Sequence, residues 1–150
     1  MSTPVRYDEQ YCPIARALDA LGRSVLPVLR SLTRFGMGLL GDPEDAEALD
    51  PRRAVQACLV AYFDPVAAAE VDVDERYLVR VGGFETMLSA VRGAGAPKPP
   101  VLVVQTDPST LFALRQGRVD WDQAIASGTL SVTGPQTAVR RMRRVFALTG

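Results

Sequence analysis

TDPSTLFALRQGRVDWDQAIASGTLSVTGPQTAVRRMRRVFAL, residues 106–148, is an ordered series of helix starts and stops with one short strand between them. Asp107 caps a helix that Pro108 opens and Gly117 closes. An Asp there accepts from the free amides of the first turn, and a proline at the next position gives up an amide that has no partner anyway. Glycine closes a helix because it takes the left-handed conformation at no cost. Asp120 caps a second helix, with Gln123 at the capping-box position and Gly128 closing. TLSVT, 129–133, reads as a strand, and Gly134-Pro135 opens a last helix whose Val139, Met142 and Phe146 face the core.

Upstream lies the β region. VLVVQ, 101–105, is a continuous apolar run of the kind expected of a strand covered on both faces. RYLVRV, 76–81, alternates Tyr77, Val79 and Val81 against Arg76, Leu78 and Arg80, as a strand does. Gly82-Gly83 is a hairpin signal, and Phe84 to Val91 reads as the returning strand. Gly93 to Pro100 is a Gly/Pro loop. Asp50-Pro51 and Asp64-Pro65 each start a helix by the same cap-and-proline device, the first with Val55, Cys58, Leu59 and Tyr62 as its apolar face.

GDPEDAEALDP, 41–51, is an acidic linker rich in helix breakers, and the domain boundary is placed there. Before it, YCPIARALDALG (11–22) and SVLPVLRSLTRFGMGLL (24–40) read as two helices joined at Arg23. The expected fold is α+β: a small mixed or antiparallel sheet covered by helices over 52–148. An N-terminal unit over 1–41 precedes it, as a helical hairpin or one kinked helix.

Composition narrows the function. The 150 residues are 47% hydrophobic, with 17 basic and 17 acidic side chains. That balance lacks the basic excess of a dedicated nucleic-acid binder. There is no histidine, which removes the commonest general base and transition-metal ligand, and two distant cysteines make no zinc site. No cofactor or metal is expected. The first ten residues hold no apolar leader core, and Ala57 to Phe63, the longest apolar run, is far short of a membrane span. The expectation is a soluble cytoplasmic protein with reduced thiols.

Residues 106–148, with their ordered caps and glycines, resemble the C-terminal half of the sterol carrier protein two fold, and strands 76–91 and 101–106 extend the likeness to about 52–148. The N-terminus resembles something else. YCPIARALDALG is similar to the opening helix of the HxlR-type winged-helix regulators, and SVLPVLRSLTRFGMGLL to the last helix of their DNA-binding domain. The recognition helix and wing that stand between these in the family have no counterpart here. The resemblance therefore implies two dimerisation helices and a ligand domain, with no nucleic-acid partner. Phe84 to Pro100 is shorter and richer in Gly and Pro than the carrier pattern.

A carrier of this kind holds an apolar ligand between sheet and helices. By position the candidate lining residues are Phe84, Met87, Leu88, Leu111, Phe112, Trp121, Ile125, Met142 and Phe146. The plainer reading of each is a core side chain. Cys12 sits where the regulators can carry a redox-sensing cysteine, at a helix N-terminus that would stabilise a thiolate; the plainer reading is a small thiol in the dimer seam. Cys58 reads as core. Arg140, Arg141, Arg143 and Arg144 either attract an anion or form a solvated face where cations suit the helix C-terminus. Asp50, Asp107 and Asp120 are explained by capping, and Glu70, Asp72, Asp74 and Glu75 read as a polar loop.

No catalytic constellation emerges. The expected function is binding of an apolar lipid, polyketide or terpenoid, as a carrier or sequestering homodimer paired through residues 11–40. Two alternatives stay open. One is a metal-free biosynthetic cyclase or isomerase that uses the pocket as a reaction chamber. The other is a truncated transcriptional regulator that acts by heterodimerisation.

Overall fold

Arg76–Val81 (β1) and Phe84–Ser89 (β2) pair antiparallel around Gly82-Gly83, with Val81 opposite Phe84 and Arg76 opposite Ser89. Both turn glycines have positive φ, +51° and +89°, which is the conformation a two-residue hairpin turn requires. The computed structural model describes residues 13–39, 49–71, 74–90 and 98–148. Leu102–Thr106 (β3) runs parallel to β1, and Leu130–Thr133 (β4) runs antiparallel to β3. The sheet order is β2-β1-β3-β4, a mixed sheet as expected.

Strand alternation decides which face is covered. Tyr77, Val79 and Val81 are fully buried, and register puts Leu102, Val104 and Leu130 on the same face, also buried. The opposite face carries exposed Arg80, Gln105, Ser131 and Thr133. The expectation that β3 is covered on both sides is corrected here. Val103 is half-buried and Gln105 exposed, so the apolar run VLVVQ serves a one-sided layer. A run of consecutive valines is blind to which face has a neighbour.

The helices over the inner face begin as the sequence requires. Pro51–Cys58 (α2) starts where Asp50 accepts from the Arg52 and Arg53 amides at 2.8 and 3.2 Å. Pro65–Val71 (α3) starts where Asp64 accepts from Val66 and Ala67 at 2.8 and 3.1 Å. Pro108–Arg115 (α4) is capped by Asp107, which also accepts from the Ser109 and Thr110 hydroxyls. Those bonds outweigh the cost of its burial and hold the Asp107 carboxyl below the usual range. Trp121–Ala126 (α5) has the complete Asp120/Gln123 capping box, and Gln136–Val145 (α6) follows β4. Ala54, Val55, Cys58, Leu111, Ala124, Val139, Met142 and Val145 from these helices join the strands in one apolar cluster.

Arg115, at the end of α4, ties the C-terminal ends of α2 and α6 to its own helix. Its Nε donates to the Cys58 carbonyl at 2.8 Å, Nη1 to Ala147 at 2.8 Å and Nη2 to Phe146 at 2.8 Å. The guanidinium carbon lies 3.7 Å from the centre of the Tyr62 ring, in the 3-10 turn Val60–Tyr62 that continues α2. Carbonyls at helix ends have no partner within the helix, and a planar fork of donors can satisfy several at once.

Of the two forms expected of the N-terminal segment, a hairpin or one kinked helix, the structure has a single helix. Pro13–Leu39 (α1) is one helix, with Pro27 inside it, and the hairpin form does not occur. The apolar positions continue across Gly22-Arg23-Ser24, and one interior glycine costs a helix only about 1 kcal/mol. Near its end Met37 is buried, its carbonyl accepts from Gln116 Nε2 at 3.4 Å, and Arg34 lies over Tyr62. Cys12, most of the linker at 41–51 and residues 93–97 of the loop lie outside the described residues.

Candidate functional site

Seven of the nine candidate lining residues share one apolar interior. Leu111, Trp121, Met142 and Phe146 are buried in the cluster, and Phe84, Leu88 and Phe112 pack against it half-buried. Phe146 meets Phe63 at 5.8 Å between ring centres and Tyr77 edge-on at 6.3 Å. The other two stand apart. Met87 pairs with Leu78 on the outer face of the sheet, because adjacent strand residues point to opposite sides, and it is 45% exposed. Ile125 lies on the outward side of α5, at 43%.

Open pockets formed by described residues include the following two. One, of about 580 Å³, lies between α1 and α2 and is lined by Thr33, Asp50, Arg52, Arg53, Gln56, Ala57 and Ala61. The second, of about 290 Å³, sits at the β1–β2 hairpin beside Gly82, Phe84, Gln105 and Thr106. Of the nine candidates, Phe84 alone lines either of these two.

One polar group inside the apolar layer was missed by the sequence reading. Glu75, read above as part of a polar loop, is buried, and Arg141 grips its carboxylate through Nε at 3.1 and 3.0 Å and through Nη2. Tyr77 donates its hydroxyl to the same carboxylate at 3.0 Å. Burial, then the bond to Glu75, raises the Tyr77 pKa. The signal was present in the strand alternation. Glu75 stands one step of two before Tyr77, so it belongs to the inward face.

The arginine run of α6 is largely consumed by the protein itself. Arg141 holds Glu75, Arg144 pairs with Glu70, and Arg143 lies over the Trp121 ring at 5.2 Å and donates to the Leu148 carbonyl. Arg140 is exposed. The cluster therefore acts mainly as a set of clamps on α3, α5 and the segment before β1.

Cys58 is buried, as read from sequence, and burial pushes its thiol up to about 12, with Arg115 opposing. A raised folded-state pKa means that stability is intact below the unfolded value near 9 and is lost as pH rises toward 12. Tyr77 acts in the same direction above its ordinary value of 10. We expect stability to be flat near pH 8. Above pH 9 it should fall by up to about 1.4 kcal/mol per pH unit for each such group. Urea midpoints measured between pH 7.5 and 11 check this; a constant midpoint across that range contradicts it.

Fold and interior together define an α+β protein with a mixed four-stranded sheet whose one face is covered by helices. No single described helix is long and apolar enough to cross a membrane. No protein-family model matches the chain, and no curated protein matches it. Among solved structures, a double mutant of the sec-alkyl sulfatase PisA1 aligns with TM-score 0.47 and 17% identity over 69% of this chain. The stereoselective inverting sec-alkylsulfatase Pisa1 from Pseudomonas sp. aligns with TM-score 0.44 and 17% identity over 68% of it. The chain spans only 17% of the length of either sulfatase. Sterol Carrier Protein 2 Like 2 from Aedes aegypti aligns with TM-score 0.40 and 13% identity, over 61% of this chain and 96% of its own.

Proposed function

We infer that the α+β part of the chain, residues 52–148, binds an apolar small molecule of lipid, polyketide or terpenoid type, as a carrier or sequestering protein. The observation that carries this is the uneven cover of the inner sheet face. On β1 the inward side chains Tyr77, Val79 and Val81 are fully buried. On β2 their register partners Leu88, Thr86 and Phe84 share that face but are only half-buried. Among the described residues, the apolar interior runs out to the sheet edge without being closed over. An apolar guest laid against Phe84 and Leu88 would leave water at a gain of roughly 25 cal/mol per Å². Pairing of two chains through residues 11–40, which the sequence resemblance implies, belongs to the same proposal.

The test is titration with a fluorescent fatty acid. We expect saturable binding that Leu88→Glu weakens at least tenfold and Phe84→Ala measurably, with circular dichroism unchanged. Leu32→Glu, on an exposed helix face away from the sheet, should leave it intact. No saturable binding by the wild type, or loss on Leu32→Glu alone, would sink the reading.

A further inference from the structure

Helix α1 carries more exposed large apolar side chains than any other described element. Leu21, Val25, Val28, Leu29, Leu32, Phe35 and Leu39 are 40 to 70% exposed. The body holds the helix on its opposite side, through Arg34 over Tyr62 and buried Met37, and Thr33 on that side lines the pocket that faces α2. Nothing described covers the apolar side.

The spacing of that side is specific. Ile14, Leu18, Leu21, Val25, Val28, Leu32, Phe35 and Leu39 follow one another at intervals of four and three without a break. This is a heptad repeat, with Leu18, Val25, Leu32 and Leu39 at a and Ile14, Leu21, Val28 and Phe35 at d. Every charged residue of the helix falls outside the seam: Arg16, Arg23 and Arg30 at f, Asp19 at b, Arg34 at c. Thr33, which lines the pocket facing α2, and Arg34 and Met37, which meet the body, stand at b, c and f, the positions that face away from a coiled-coil partner.

The positions beside the seam narrow the partner. Seven of the eight e and g positions are Ala, Gly or Ser, Leu29 being the eighth. A helix lying in a membrane surface would carry Lys and Arg beside its apolar strip to meet the headgroups. A helix selecting a different protein would carry charges at e and g, which set partner choice. Neither pattern is present. Small flanks let two helix backbones approach closely. Gly36 is telling here, because a Cβ added to it meets nothing within 4 Å in the chain's own structure. An interior helix glycine with empty space beside it costs stability for no reason that the single chain supplies.

Area agrees. At roughly 100 Å² exposed on each of seven side chains, the strip offers on the order of 700 Å², near the ~800 Å² per partner of a standard interface. We propose that α1 pairs with α1 of a second copy of this chain as a two-stranded coiled coil, with the two α+β bodies carried on the outer side of the pair. It rests on the proposed pairing through residues 11–40 and gives that pairing its geometry; it does not depend on the apolar ligand.

Sedimentation equilibrium of the full chain tests it. The wild type should sediment at twice 16.2 kDa. Leu32→Glu should weaken association at least 100-fold and sediment at 16.2 kDa, with its circular dichroism retained. Val66→Glu, which replaces an equally exposed apolar residue on α3, should remain dimeric. Gly36→Val adds bulk only beside the seam and should weaken association at least tenfold without unfolding the monomer. A wild type that is monomeric at tens of micromolar overturns the proposal, whether it stays free or co-sediments with phosphatidylglycerol vesicles. Unchanged mass in Leu32→Glu overturns it equally.

Discussion

Arg115→Met is expected to destabilise the chain by about 3 kcal/mol, since three carbonyls at helix ends lose their donor at once and a ring contact goes with them. The Cys58, Phe146 and Ala147 oxygens all accept from this one guanidinium. Methionine keeps much of the length and apolar stem but offers no hydrogen. The partly buried Cys58 and Phe146 acceptors cost on the order of 1 kcal/mol each when stranded, the exposed Ala147 carbonyl less, and the contact with the Tyr62 ring is lost besides. Arg115→Lys restores the charge without the planar fork and should recover less than half the loss. Urea denaturation reads both variants; a loss below about 1 kcal/mol in Arg115→Met would show that water replaces the clamp.

Gly134→Ala should cost a similar amount by a different route. Gly134 has φ of +142°, and a Cβ there would stand 2.6 Å from the Val101 carbonyl oxygen and 3.0 Å from Leu102 Cδ1. A backbone oxygen cannot swing aside as a side chain can. Relief must come from moving the start of β3 away from the end of β4. We expect a loss of about 3 kcal/mol, or close to 10 °C in Tm for a chain of this length. Gly128→Ala is the control, because its φ is +78° but its surroundings are open, so only the backbone penalty of about 1 kcal/mol applies. Equal losses in the two variants would put the whole effect in backbone conformation and remove the steric argument.

The elements beyond the linker were legible because their signals are local. Asp50, Asp64, Asp107 and Asp120 each cap the helix they precede, and these bonds span only two or three residues. The hairpin at Gly82-Gly83 and the inward set Tyr77, Val79 and Val81 likewise follow from turn geometry and a period of two. The candidate interior was legible in part for the same reason. Phe84 and Leu88 share the inward parity, whereas Met87, beside Leu88 in sequence, has the parity that puts it outside. Glu75 shows the reverse error, an inward position set aside because of its charge.

By itself, the sequence determined the caps, the strand parity, the hairpin and the unbroken heptad of α1, all of which are properties of neighbours along the chain. Tertiary structure alone decided which partner each surface meets. It set β3 against a one-sided layer, brought Arg141 to Glu75 across 66 residues, and closed Arg115 onto Cys58 across 57. It also turned the apolar side of α1 away from the body. The physical reason is that burial depends on what lies opposite. A side chain's period fixes the direction it points along its own element, while the neighbour it finds there comes from distant parts of the chain or from a second chain.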